Sequence, residues 1–184
     1  MIKKLFFVLC LLCALSGCKI GEKSINEHES NVDTAEALEQ VINKQEVHIV
    51  KTNYIVQDTK IKILFPDTLQ AVIKNNSKDK IKNVVVSFAA WDENNEPVKL
   101  KRSIDFTEGA YVREITLKNI DLASGATFAE EDGFGLNEKC SVHTFKAIVK
   151  SYETDEGAIW ENPQYNNWVN MYSGVNYSSF SLND

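Results

Sequence analysis

From Val47 onward the sequence is written in period two, with β-branched and aromatic residues alternating with polar ones in short runs that turn residues separate. Strand side chains point alternately to opposite faces, so this pattern builds half-buried strands and is unsuited to helices. It predicts nine strands: Val47–Val56, Ile61–Phe65, Leu69–Asn75, Ile81–Trp91, Val98–Phe106, Tyr111–Leu117, Ala126–Glu130, Val142–Tyr152 and Ala158–Glu161. The links Asn75-Asn76-Ser77-Lys78-Asp79, Asp92-Glu93-Asn94-Asn95, Ser124-Gly125 and Asp155-Glu156-Gly157 are too short for parallel crossovers, which need a dozen residues or more. Antiparallel hairpins follow. The predicted fold class is mainly β, an immunoglobulin-like antiparallel β-sandwich over residues 47–184, with a short helix possible near the C-terminus.

One run stands out. In Val84 to Trp91 one face presents Val84, Val86, Phe88 and Ala90, and the other presents Val85, Ser87, Ala89 and Trp91. A strand apolar on most of both faces is expected at the centre of a sheet that is covered on both sides. With 43% hydrophobic and 25% charged residues, the chain has the balance to bury such a core.

The N-terminus has a different logic. Lys3-Lys4 precedes an apolar run, Leu5 to Leu15, of 11 residues, whereas a helix spanning the hydrocarbon core needs about 20. Residues 1–17 are therefore read as a signal peptide. The tetrad Leu15-Ser16-Gly17-Cys18 resembles the bacterial lipoprotein signal, in which cleavage precedes a Cys that carries a diacylglyceryl thioether. The resemblance implies lipidation at Cys18 and a domain anchored to the cell membrane, facing outside the cytoplasm. Two acyl chains meet the requirement that stable anchoring takes more than one. Lys19 to Glu46, with three Lys, seven acidic residues and no aromatic, has the composition of a tether. Within it Asp33-Thr34-Ala35-Glu36 has capping-box spacing, and Leu38, Val41 and Ile42 share a helical stripe. A short helix over 33–44, docked or transient, is expected. Cys10 and Cys13 leave with the signal, so Cys140 is the one thiol of the mature domain and no intrachain disulfide is expected. Cys140 is read first as a small buried hydrophobe, and second as a nucleophile or an intermolecular bridge.

The stretch Phe65-Pro66-Asp67-Thr68-Leu69-Gln70-Ala71-Val72-Ile73-Lys74-Asn75-Asn76-Ser77, then Ile81-Lys82-Asn83-Val84, Ala90-Trp91-Asp92-Glu93-Asn94-Asn95-Glu96-Pro97-Val98-Lys99 and Trp160-Glu161-Asn162-Pro163, resembles an uncharacterised family of unknown function. Its members look like exported or membrane-tethered proteins of low-GC Gram-positive bacteria. The likeness spans most of residues 47–172. A looser similarity reaches the FxLYD type of immunoglobulin-like domain, through the Asn turn, Trp91-Asp92 and the turn at Ser124-Gly125. Both resemblances imply fold and location and bring no catalytic or ligand residues.

Chemistry-bearing patterns are sparse. His28, His48 and His143 stand singly, without metal-ligand spacing, so no metal and no cofactor are expected. Asp92-Glu93-Asn94-Asn95-Glu96 starts like a calcium loop, but Pro97 replaces the Gly of its sharp turn and Ser103 the bidentate Glu. Glu130-Glu131-Asp132 reads as a solvated loop. A net charge of −6 argues against a nucleic-acid partner. The aromatic segment Trp160, Tyr165, Trp168 and Tyr172 remains as the candidate binding site. Exposed, its rings would stack on sugars or anchor a protein; buried, they would form a helical lid, begun by Pro163, over an end or open edge of the sandwich. The function expected is a noncatalytic interaction module with a protein or envelope-glycan partner. The alternative is an envelope enzyme or carbohydrate-binding lipoprotein that uses the loops or this segment.

Overall fold

The computed structural model describes residues 34–58, 64–102, 105–129 and 133–181. The segment 1–17 read as a signal peptide, Cys18 and the acidic run 130–132 lie outside the described residues. Strands β1 (Val47–Ile55), β2 (Thr68–Asn75), β6 (Thr127–Ala129) and β7 (Phe134–Gly135) form one antiparallel sheet, in which β2 pairs with β1 along one edge and with β6 and β7 along the other. Strands β3 (Ile81–Trp91), β4 (Pro97–Val98), β5 (Val112–Leu117), β8 (Thr144–Thr154) and β9 (Ile159–Glu161) form the second. In that sheet β3 is central, with β8 on one edge and β4 and β5 on the other, as its two apolar faces predict.

The two faces of β3 separate two cores. Val84, Val86, Phe88 and Ala90 meet Val47, Leu69, Ala71 and Ile73 of the first sheet in the sandwich interior. Ala89 and Trp91, together with Ile148 of β8, face outward and are also buried, under a layer of helices. The apolar alternation survives because three single-residue bulges correct it. The register shifts past Val50, Lys82 and Lys150, and each shift restores the inward set on the far side of the bulge. Ile81 and Val84 thus both point inward, as do Val149 and Tyr152.

The helical layer comes from both ends of the described chain. Helix α1 (Ala35–Ile42) is capped by Thr34, whose Oγ1 accepts from the Ala37 N–H at 3.2 Å, one residue later than the capping-box spacing implies. It is docked: Leu38 and Ile42 are buried against the outer face of the second sheet. Helix α2 (Tyr165–Tyr172) lies beside it, followed by the four-residue α3 (Ser178–Ser181). The lid is therefore helical, but it covers a sheet face and leaves the edges to other devices. The physical reason is β3 itself, whose outward Ala89 and Trp91 would expose a broad apolar surface without it.

Two predicted strands differ. Of the segment Val98–Phe106 only Val98 lies in a strand among the described residues, as the second residue of β4, with a lone bridge from Leu100 to Ala110. Beyond Leu100 the chain turns to other partners: Lys101 O accepts from Asn137 N, and the side-chain Oδ1 of Asp105 closes a turn by accepting from Thr107 N. Phe106, inward by alternation, is fully exposed. Of the segment 61–65, residues 61–63 lie outside the described residues, and Leu64 and Phe65 form an exposed turn before β2.

Candidate functional site

The aromatic segment divides in two. Trp168 and Tyr172, each 1% exposed, are packed into the outer core beneath α1 and α2. Trp91 is the hub of that core. Tyr172, Tyr177 and Phe180 meet it edge-on at 6.0, 5.2 and 5.5 Å, and Trp168 meets Tyr172 at 5.3 Å, the tilted geometry that ring quadrupoles favour. The Trp91 indole N–H donates to Val175 O at 2.7 Å, which ties the C-terminal segment down. With no free ring face, Trp168 and Tyr172 offer a ligand nothing in this conformation.

The hydroxyls of the stripe are also committed. Tyr172 Oη donates to Glu39 Oε1 at 2.9 Å, and Lys146 Nζ binds the same oxygen at 2.8 Å, so α1, α2 and β8 share one carboxylate. Burial and the neighbouring Glu39 push the Tyr172 phenol far above its ordinary value. Tyr165 is half-buried, and its hydroxyl donates to Glu114 Oε1 at 2.7 Å beside Lys150 Nζ at 2.9 Å. Burial opposes ionisation of Glu114, but the hydrogen bonds from Lys150 and Tyr165 outweigh it and hold the carboxyl below its usual range.

Trp160 stands apart, on β9. Its ring stacks on Tyr152 with centroids 5.0 Å apart and planes 20° from parallel. This pair borders a groove of about 360 Å³ whose other walls are Val41, Lys44, Gln45, Glu46, Val47, Pro163 and Gln164. The walls are cross-tied by an amide pair. Gln45 Nε2 donates to Asn162 Oδ1 at 2.7 Å, and Asn162 Nδ2 donates back to Gln45 Oε1 at 3.0 Å. The same Asn162 amide donates to Val149 O at 2.7 Å at the bulge, and its oxygen receives Gln164 N at the entry to α2. Of the predicted site residues, only Trp160 lines this groove. Lys44, Glu46 and Tyr152 were not legible as neighbours, because the docking of the α1–β1 link that brings them there depends on Asn162, a long-range contact.

The remaining sequence signals resolve into structure. Asn75, fully buried, donates through Nδ2 to Asp79 O and Leu122 O and accepts at Oδ1 from Ser77 N and Oγ. Gly125, at φ +74°, donates its N–H to Asn75 O, so the Asn turn and the Ser124-Gly125 turn are one hydrogen-bonded unit. Asp92 Oδ1 accepts from Asn94 N and Glu96 N, which closes the β3–β4 hairpin. His48 Nδ1 lies 2.7 Å from Gln45 O, and His143 is exposed. Burial pushes the Cys140 thiol up, away from the thiolate that a nucleophile requires. Among the described residues no group of three His, Cys, Asp or Glu side chains could hold a metal ion, and no helix is long and apolar enough to cross a membrane.

A family described as of unknown function (DUF5780) matches residues 68–175, from the start of β2 to just past α2. A hypothetical protein from Peptoclostridium difficile 630, of known crystal structure, is similar in fold at a TM-score of 0.59 with 14% identity, covering 75% of this chain and 97% of its own. At that identity the likeness carries the fold alone. No curated protein matches the sequence.

Proposed function

The chain belongs to this family of unknown function, and we propose that it is a bacterial lipoprotein, anchored through lipid on Cys18, that presents a noncatalytic β-sandwich interaction module at the outer face of the cell membrane. The observation that carries the reading is the tetrad Leu15-Ser16-Gly17-Cys18 directly after an apolar run too short to span a bilayer. The family motifs support the noncatalytic part by where their polar atoms go. Asn75, Asp92 and Asn162 close turns and join strands, and their hydrogen-bonding groups are directed at backbone and neighbouring amides.

Membrane fractionation of cells that express the wild-type chain and Cys18→Ala tests the anchor. Wild type is expected in the membrane fraction and released by detergent, and Cys18→Ala is expected to leave it. Equal membrane retention of the variant would refute the reading.

A further inference from the structure

We infer that the groove beside Trp160 is a binding site for a neutral sugar ring, as found in envelope glycans. This goes beyond the anchoring proposal and stands on the folded domain alone. Its volume of about 360 Å³ lies at the low end of ligand-binding clefts, roughly 300–1,000 Å³, and suits one or two sugar rings. A pyranose has a face of C–H groups that gains by leaving water for an aromatic surface, and the stacked Trp160–Tyr152 pair, both rings of which line the groove, supplies aromatic surface at its wall.

The rim of a sugar is a ring of hydroxyls, each both donor and acceptor, so it needs both kinds of partner. Glu46 provides an acceptor and Lys44 a donor. Both are exposed, and among the described residues neither side chain has a hydrogen-bond or ion-pair partner. Gln164 keeps its Nε2 donors, because its bond to Asn167 uses Oε1. One carboxylate and one ammonium leave the groove without net charge, and the whole chain carries −6, which disfavours phosphorylated or polyanionic ligands. The Gln45–Asn162 amide pair fixes one wall to the other before any ligand arrives, so little ordering has to accompany binding.

The test follows the indole N–H resonances of the three Trp residues in the full chain, held in detergent micelles, during titration with diacetylchitobiose and with maltose. The Trp160 resonance, identified by its loss in Trp160→Phe, is expected to shift saturably with a dissociation constant on the order of millimolar, while those of the buried Trp91 and Trp168 stay. Glu46→Gln and Lys44→Ala each remove one partner from an exposed position. They are expected to weaken binding about fivefold, the equivalent of one hydrogen bond of about 1 kcal/mol, without moving the unfolding midpoint. The absence of saturation by either disaccharide up to about 20 mM overturns the inference. So does saturation by inorganic phosphate in their place, or binding that is unchanged in the Glu46→Gln/Lys44→Ala double variant.

Discussion

Replacing Leu38 with Ala tests whether the stretch with tether composition is part of the folded domain. Leu38 is fully buried on α1, within the cluster that contains Trp91, Ile148, Trp168 and Tyr172. Truncation removes three side-chain carbons, one methine and two methyls, from this cluster and leaves a cavity between a helix and a sheet, where aromatic neighbours collapse poorly. Leu→Ala changes at such sites cost about 2–5 kcal/mol. For a domain of this size each kcal/mol lowers the midpoint by about 2–4 °C, so Leu38→Ala should melt roughly 5–20 °C below wild type. The assay is thermal unfolding followed by near-ultraviolet circular dichroism, which reports on Trp91 and Trp168 in the same core. Glu36→Ala, exposed on the same helix, is the control and should shift the midpoint by less than about 2 °C. An unchanged midpoint for Leu38→Ala would show that α1 is not docked in solution and would refute the three-layer account.

Three further outcomes follow from the same contacts. Trp168→Ala should cost about 3–5 kcal/mol, read by denaturant unfolding, because its ring is buried against Tyr172; an unchanged midpoint would return the C-terminal stripe to the surface. Asn162→Ala leaves Val149 O and the Gln45 amide without their partner and should cost about 1–3 kcal/mol in the same assay. Glu114 is held below its usual carboxyl range, so its contribution is present above the unfolded value of about pH 4.3 and lost as pH falls through the lower folded value. Unfolding midpoints of wild type and Glu114→Gln should therefore converge on acidification from pH 6 to below 4, and parallel curves would contradict the Lys150–Glu114–Tyr165 link.

Much of this architecture is legible in the residues. The alternation of Val84 to Trp91 is enough to place β3 at the centre of a sheet covered on both sides; of the four turns expected to close hairpins, Asp92–Asn95 and Asp155–Gly157 do so, whereas Asn75–Asp79 and Ser124-Gly125 carry the chain from one sheet to the other. What escapes is set by single residues whose effect depends on partners far along the chain. The bulge at Lys150 inverts the face of every later residue in β8, yet nothing local distinguishes Lys150 from its neighbours. Val98 to Phe106 keeps a strand's alternation but leaves the sheet after Leu100, because its hydrogen bonds go to Asn137 and to the turn at Asp105. The aromatic segment reads as one stripe in sequence. Trp160, however, lies before Pro163 on a strand, so the structure sends it to the groove while Trp168 and Tyr172 enter the core. Helix α1 has a tether's composition because only two of its residues, Leu38 and Ile42, are buried.

The anchoring proposal is tested most directly by the intact mass of the mature protein extracted from membranes with detergent. A chain that begins at Cys18 and carries the added mass of a diacylglyceryl group, with or without a third acyl chain on the new amino terminus, is the predicted result. A mass that corresponds to a chain retaining residues 1–17, or to one cleaved elsewhere without any acyl addition, would contradict it.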